Sequence, residues 1–308
     1  MITKAVKWAL RLPQRRRDTR FLQDAIRRVD AVLVSYPKSG RTWLRYALSC
    51  YFAKVAALDL VPDLATTFRV LPNLDRDPVR GLPAFAYGGN PMLPLIAVSH
   101  REYDRGLFAD RPVVFLLRDP RDVVVSSYFH ATRHKHRYHG TLKSFIRDHN
   151  QGLADLLRYL NGWAAGLAGH RHHVVSYEAM SDDPARAIRG ILVFLGVPCD
   201  EAALTAAVEA SRFDAMRQTE QQSGIPGHNY DRADSESLRM RKGKAGGFRD
   251  YLDPADIALI EDWCQSDLSS AARDLVRRTG MPLDQDSAAG KRGDYQPAPA
   301  FSQIGAVP

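Results

Sequence analysis

Residues 30–43 constrain this chain more than any other stretch. Asp30-Ala-Val-Leu-Val-Ser-Tyr36 is a continuous apolar run without alternation, the pattern of a strand covered on both faces in a parallel sheet. It runs straight into Pro37-Lys-Ser-Gly40 and then Arg41–Lys54, which reads as a helix. A buried strand, a tight glycine turn and a helix start in immediate succession aim several unpaired backbone N–H groups at one point, with the positive end of the helix dipole behind them. Lys38 adds a full charge and Thr42 a hydroxyl donor, so the turn suits a phosphate. It is not the ATP-type loop G-x-x-x-x-G-K-[ST], because position 34 is Val and the lysine precedes the glycine. The plain alternative is an ordinary strand–helix turn.

The rest of the chain repeats the strand–helix alternation. Leu95–Ser99, Val113–Leu117 and His173–Tyr177 read as further buried strands. Helices are expected from about Pro120, from Leu142 to Ala168 with breaks near Gly152 and Gly162, and from Pro184, capped by Asp183, to a left-handed stop at Gly196. Asp253-Pro254 repeats that opening for a long helix reaching about Arg278. Residues 59–95 read as a long loop region with short elements, and Gln218–Gly247 as a polar, glycine-rich lid or binding loop. This order predicts an α/β protein with a parallel, doubly wound sheet. The expected divisions are a basic helical segment at 1–29, a main domain at 30–280 and a loosely ordered tail at 281–308.

Composition narrows the partners. The chain carries 43 Lys+Arg against 35 Asp+Glu, a net charge of +8, which favours a polyanionic partner. No apolar run approaches the 18 residues or so of a membrane span. The 3 cysteines stand far apart without a C-x-x-C pair, which argues against a disulfide scaffold and a cysteine zinc site. A cytoplasmic location is the default expectation. Met1–Leu12 could form a short amphipathic helix, either solvated or in peripheral contact with a membrane.

Three segments, in order, Tyr36–Trp43, Val113–Ser126 and Arg241–Phe248, are similar to those of sulfotransferases that use 3′-phosphoadenosine 5′-phosphosulfate (PAPS). Tyr36-Pro-Lys-Ser-Gly-Arg-Thr-Trp43 resembles the family's 5′-phosphosulfate loop. Val113-Val-Phe-Leu-Leu-Arg-Asp-Pro-Arg-Asp-Val-Val-Val-Ser126 resembles its 3′-phosphate segment, and Arg241-Lys-Gly-Lys-Ala-Gly-Gly-Phe248 its later Arg-Lys-Gly-x-x-Gly segment. With Tyr177-Glu178 and Phe213-Asp-Ala-Met216, the likeness covers about residues 30–265. It implies a P-loop-like three-layer fold with a central parallel sheet flanked by helices, and PAPS as co-substrate with no metal.

The resemblance also implies roles. Lys38 would contact the bridging oxygen of the donor, which gains negative charge as the S–O bond breaks. Ser39, Gly40, Arg41 and Thr42 would hold the 5′-phosphate, although the family often has Thr where Arg41 stands. Trp43 would stack on adenine, with Tyr177 nearby and Phe213 as the opposite wall; core packing is the other reading of Phe213. Arg118, Ser126, Arg241, Lys242 and Gly243 would bind the 3′-phosphate. The family commonly has Asp-Trp where Gly247-Phe248 stand.

His100 follows directly on a predicted strand, where α/β sheets place their sites, and it matches the family's catalytic base. The Lys-Thr that often precedes that base is replaced here by Val98-Ser99. A structural histidine is the alternative. His130, His134, His136 and His139 invite a metal reading, but their spacing matches no firm ligand pattern, and a basic loop near the acceptor is preferred. The acceptor is expected to be a hydroxyl compound: a carbohydrate, glycolipid or other aliphatic alcohol rather than a simple phenol. Phe68, Phe85, Tyr87, Tyr103 and Phe108 stand in the variable segments expected to line its pocket. A metabolite kinase with a variant phosphate loop and a basic nucleic-acid-binding protein are the rival readings; the second rests on charge alone.

Overall fold

The computed structural model describes residues 18–284 apart from 109, 226–229 and 235. The expected Met1–Leu12 helix and nearly all of the 281–308 tail lie outside the described residues. Four strands form one sheet: β1 Ala31–Ser35, β2 Ile96–Ser99, β3 Val113–Leu117 and β4 His172–Ser176, in the order β2-β1-β3-β4. Every pairing is parallel, with Ala31 opposite Ile96, Val32 opposite Val113 and Val113 opposite His172. All four strands therefore end on the same edge. β1 is followed by a neighbour on one side and later by β3 on the other, so the order reverses beside β1, where such sheets bind ligands.

The side chains sort by strand parity. Val32, Val34, Ala97, Val113, Phe115 and Leu117 enter one core, while Ala31, Leu33, Ile96, Val98, Val114 and Leu116 enter the other. Burial on both faces is what the unbroken apolar runs required. The second face is covered by α1 Arg41–Val55, α5 Pro184–Leu195 and α6 Glu201–Ala210. The first is covered by α2 Pro120–Phe129, α3 Leu153–Leu167, α8 Pro254–Asp267 and α9 Ser270–Arg277. The remaining helices that bear on the site are α4 Tyr177–Asp182 and α7 Phe213–Ser223. The result is the expected three-layer α/β fold. Among the described residues no helix is long and apolar enough to cross a membrane.

Several boundaries differ from expectation. Gly162 does not break α3: its missing side chain faces open space, and Leu156, Leu160, Trp163 and Leu167 bury the helix's apolar face. Gly152 does mark the start, as the N-cap. The long helix expected from Pro254 is two helices, because Leu268 is extended and Ser269 caps α9 by accepting from the Ala272 N–H. Asn161 holds that break, donating to the Asp267 carbonyl and accepting from the Ser269 N–H. The polar segment from Gln218 begins inside α7 and leaves the helix only after Ser223. Asp183, Pro184 and Gly196 bound α5 as expected, with Gly196 at φ +73°.

Candidate active site

The turn after β1 sits at the middle of the strand-end edge. Gly40 has φ +97°, and a β-carbon there would come within 2.5 Å of the Tyr177 ring, so only glycine fits. Lys38 also lies in the left-handed region, at φ +74°, a conformation that costs a residue with a side chain about 1–3 kcal/mol. Gly40 caps α1 without a side chain and no acidic residue stands in the first turn, which leaves the helix's first N–H groups for an anion. Trp43 meets Tyr177 edge to face at 5.4 Å.

The ends of the neighbouring strands converge on this turn. Lys38, Gly40, Arg41, Thr42, Trp43, His100, Arg118, Ser126, Tyr177, Phe213, Arg241, Lys242 and Gly243 all line one cleft. Ser39 is the exception among the residues expected to bind the donor; it is buried.

On the β3 side, Arg118 lies 4.0 Å over the Tyr177 ring and donates to the carbonyls of Lys38 and Lys244, at 3.4 and 3.2 Å. Its Nε is buried without a hydrogen-bond partner among the described residues, so the guanidinium retains a donor for an anion. Asp122, one turn further on α2, stands 3.5 Å from Arg118 and accepts from the Gly246 and Phe248 N–H groups, each at 2.8 Å. This carboxylate pins the segment after Arg241 against α2. Arg241 itself is held by Glu236 at 3.1 Å and by the Tyr251 hydroxyl at 2.5 Å, and Lys242 by Asp250 at 2.8 Å. Gly243 sits at φ +60°, and a β-carbon there would lie 2.1 Å from the Phe213 ring. Phe213 both walls the cleft and packs on the small core around Met216 and Met240.

On the β2 side, the Nδ1 of His100 lies 2.6 Å from the Ser35 carbonyl oxygen. A carbonyl only accepts, so Nδ1 carries the proton and Nε2 keeps its lone pair. Burial, then the positive charges of Arg41, Arg239 and Arg45, hold the imidazole well below its ordinary value, against the pull of the Ser35 bond. His100 is therefore a neutral acceptor. Lys38 is likewise pulled well below its usual value, by burial and then by Arg239, with Glu220 opposing. A bound polyanion would relieve both shifts.

Sequence reasoning missed four residues of this architecture. Glu220, fully buried on α7, accepts from the Tyr230 hydroxyl at 2.6 Å and from the Arg239 and Met240 N–H groups at 2.8 Å, fixing the strand of chain that leads to Arg241. Arg239 lines both the main cleft and a smaller one shared with Lys38 and His130. Asp122 and Glu178 are the others; burial lifts the Glu178 carboxyl to about 7 while it accepts from the Asp119 N–H. Asp122 and Glu178 stand inside segments quoted from the sequence, but the backbone N–H groups that they and Glu220 hold lie far along the chain, which hides their role. The 130–134 stretch is a π-turn in which His130 packs on His134, and His134 stacks on Tyr230 at 4.4 Å. None of the five aromatics expected around the acceptor lines this cleft: Phe108 is fully buried, Tyr103 packs on Trp163, Phe68 lies under Arg45, and Phe85 and Tyr87 pack against the second core.

A family model, the sulfotransferase domain, matches residues 28–272. The chain belongs to the sulfotransferase family. Among relatives of this sulfotransferase, human sulfotransferase 2A1 is 24% identical over 259 residues, covering 81% of this chain and 88% of the relative. Two solved structures share the fold. Mouse sulfotransferase SULT7A1 complexed with PAP matches at a TM-score of 0.57 and 20% identity, over 81% of this chain and 89% of that one. Retinol dehydratase in complex with androsterone and the inactive cofactor PAP matches at 0.56 and 22%, over 82% of each chain.

Proposed function

We propose that this sulfotransferase moves the sulfuryl group of PAPS to the hydroxyl of a polar alcohol, with His100 as general base. The observation that carries the reading is the convergence of Lys38, His100 and Arg118 from three adjacent strand ends on one cleft. PAPS fits the residues present. Arg118 offers a buried, unpartnered Nε, and Gly40 and Gly243 let backbone approach where a side chain could not. Both solved neighbours were crystallised with PAP, the desulfated form of that donor.

In this reading the acceptor oxygen attacks sulfur in line, forming the new O–S bond as the bond from sulfur to the 5′-phosphate breaks. Nε2 of His100 takes the hydroxyl proton, since Nδ1 is held to Ser35. Lys38 and the N–H groups of α1 stabilise the charge that collects on the departing phosphate oxygen, where a cation favours the transition state over the ground state. Arg118, with Ser126 and the 241–243 backbone, holds the 3′-phosphate. Trp43, Tyr177 and Phe213 bracket the base. None of Tyr103, Phe108 and Phe68 lines the cleft, where Lys38, Arg41, Thr42 and Arg239 stand with His100, and this favours an alcohol such as a carbohydrate over a simple phenol. A kinase reading is disfavoured by Asp119, which caps α2 and is locked to Arg121 at 2.6 Å instead of facing the cleft.

The test is a pair of measurements on His100→Ala and His100→Gln: calorimetric binding of PAP, and sulfated product formed from PAPS. The expected result is retained PAP binding with transfer lowered by on the order of 10²–10⁴ in both variants, the scale of general-base help. Near-normal turnover in either variant would move the base elsewhere. Lost PAP binding would make His100 a structural residue.

A further inference from the structure

The cations of the cleft divide into two groups. On the β3 side stand Arg118 and Arg241, each close to a carboxylate: Asp122 at 3.5 Å and Glu236 at 3.1 Å. On the β2 side stands Arg41, the first residue of α1, which lines the cleft with His100 and makes no ion pair among the described residues. Arg45, one turn further on the same helix face, shows which way that face points. Its Nη2 donates to the Asn73 side chain at 2.5 Å and its guanidinium lies 4.5 Å over the Phe68 ring. Asn73 and Leu74 in turn run beside β2, joined to it through Val98. The face that begins with Arg41 thus turns towards the loop flanking β2 and His100, away from Arg118.

The electrostatics agree with that placement. Arg41 is the charge that weighs most on His100, whereas Lys38 responds chiefly to Arg239, Glu220, Arg118 and Arg241. Arg41 is itself pulled down to about 9 by burial and by Arg239, with Tyr159 and then Asp75 opposing. Arg45 is 4% exposed, and among the described residues it makes no ion pair and its buried Nε no hydrogen bond. Two guanidiniums on one helix face, with no ion pair among the described residues and only the more distant charge of Asp75 opposing their shifts, are stabilised by an anion that enters beside Arg41. The resemblance implies the 5′-phosphate for Arg41, and the family often has Thr there. The charge that replaces that Thr lines the cleft together with His100.

We propose that Arg41, with Arg239 across the cleft, reads an anionic group on the acceptor, so that the substrate is a hydroxylated anion: an alcohol that also carries a carboxylate, phosphate or sulfate. This rests on the sulfuryl-transfer reading above and narrows it. An anion between Arg41 and Arg239 would dock the molecule on the β2 side and leave its hydroxyl facing Nε2 of His100. A neutral alcohol of the same shape would leave Arg41 without a countercharge, and would bind more weakly.

The test uses two probes of one shape, 4-(hydroxymethyl)benzoate and its primary amide 4-(hydroxymethyl)benzamide, titrated calorimetrically into the full chain saturated with PAP. Arg41→Thr, which restores the family's common residue, is measured beside the wild type. The wild type should prefer the carboxylate at least tenfold, and the variant should bring the two probes within about threefold. A carboxylate that binds no better than the amide, including the case where neither binds, overturns the inference. So does a preference that survives in Arg41→Thr. If the variant instead weakens PAP itself more than tenfold while the preference stands, Arg41 serves the donor's phosphate and the inference fails. PAP binding to the wild type is read in the same experiment, so failure of the donor assignment is distinguishable from failure of this one.

Discussion

Asp122 offers a sharp test, because one carboxylate there does three things. It accepts from the Gly246 and Phe248 N–H groups at 2.8 Å each and faces Arg118 at 3.5 Å, with its side chain 3% exposed. Hydrogen bonds to a charged group are worth about 1.5–3 kcal/mol each, and a buried N–H left without a partner is penalised at the upper end of that scale. The Phe248 N–H is fully buried. Asp122→Ala should therefore lower the unfolding free energy by about 3–5 kcal/mol, a large share of the ~5–15 kcal/mol typical of a folded domain. Asp122→Asn keeps one acceptor oxygen and should lose about half as much. Both variants should also bind PAP more weakly, because Arg118 loses its countercharge and the Gly243–Gly247 turn its anchor. Urea unfolding, with calorimetric titration of PAP, measures both effects. A loss under 1 kcal/mol in Asp122→Ala would refute the view that this side chain ties the 241–248 segment to α2.

Two further outcomes are expected. Lys38→Ala should lower turnover by on the order of 10²–10³, the scale for removing a group that stabilises transition-state charge, and a loss below tenfold in steady-state assays would contradict that role. Stability should fall as pH drops below about 6.5. Burial holds His100, His130 and His134 below their ordinary value, His134 at about 3, so the unfolded chain takes up their protons first. Each fully shifted histidine loses about 1.4 kcal/mol by pH 5.5, and Glu178, raised to about 7, offsets roughly one of them. Urea midpoints that rise from pH 7 to pH 5.5 would contradict the sign.

How much of this was legible in the sequence depends on the range of the interaction. β1, β3 and the turn at Pro37–Gly40 announce themselves because a strand buried on both faces needs an unbroken apolar run, and a glycine turn before a helix needs no distant partner. The cap at Asp183 and the stop at Gly196 are equally local. Gly162 misled because glycine weakens a helix by only about 1 kcal/mol, which the packing of Trp163 and Leu160 outweighs. The break at Leu268–Ser269 depends on Asn161, more than a hundred residues earlier. Asp122 and Glu220 were invisible for the same reason: each carboxylate serves N–H groups far along the chain. The tautomer of His100 rests on the Ser35 carbonyl, a contact made by strand register alone.

The central claim is that this cleft holds a nucleotide by two phosphates, one at the turn after β1 and one at Arg118. Calorimetric titration of the wild type and Arg118→Ala with PAP and with adenosine 5′-monophosphate tests it most directly. The two nucleotides differ only in the 3′-phosphate. The wild type should bind PAP at least tenfold more tightly than the monophosphate, and Arg118→Ala should bring the two within about threefold. Equal affinities in the wild type, or a preference for PAP untouched by the loss of Arg118, would contradict it.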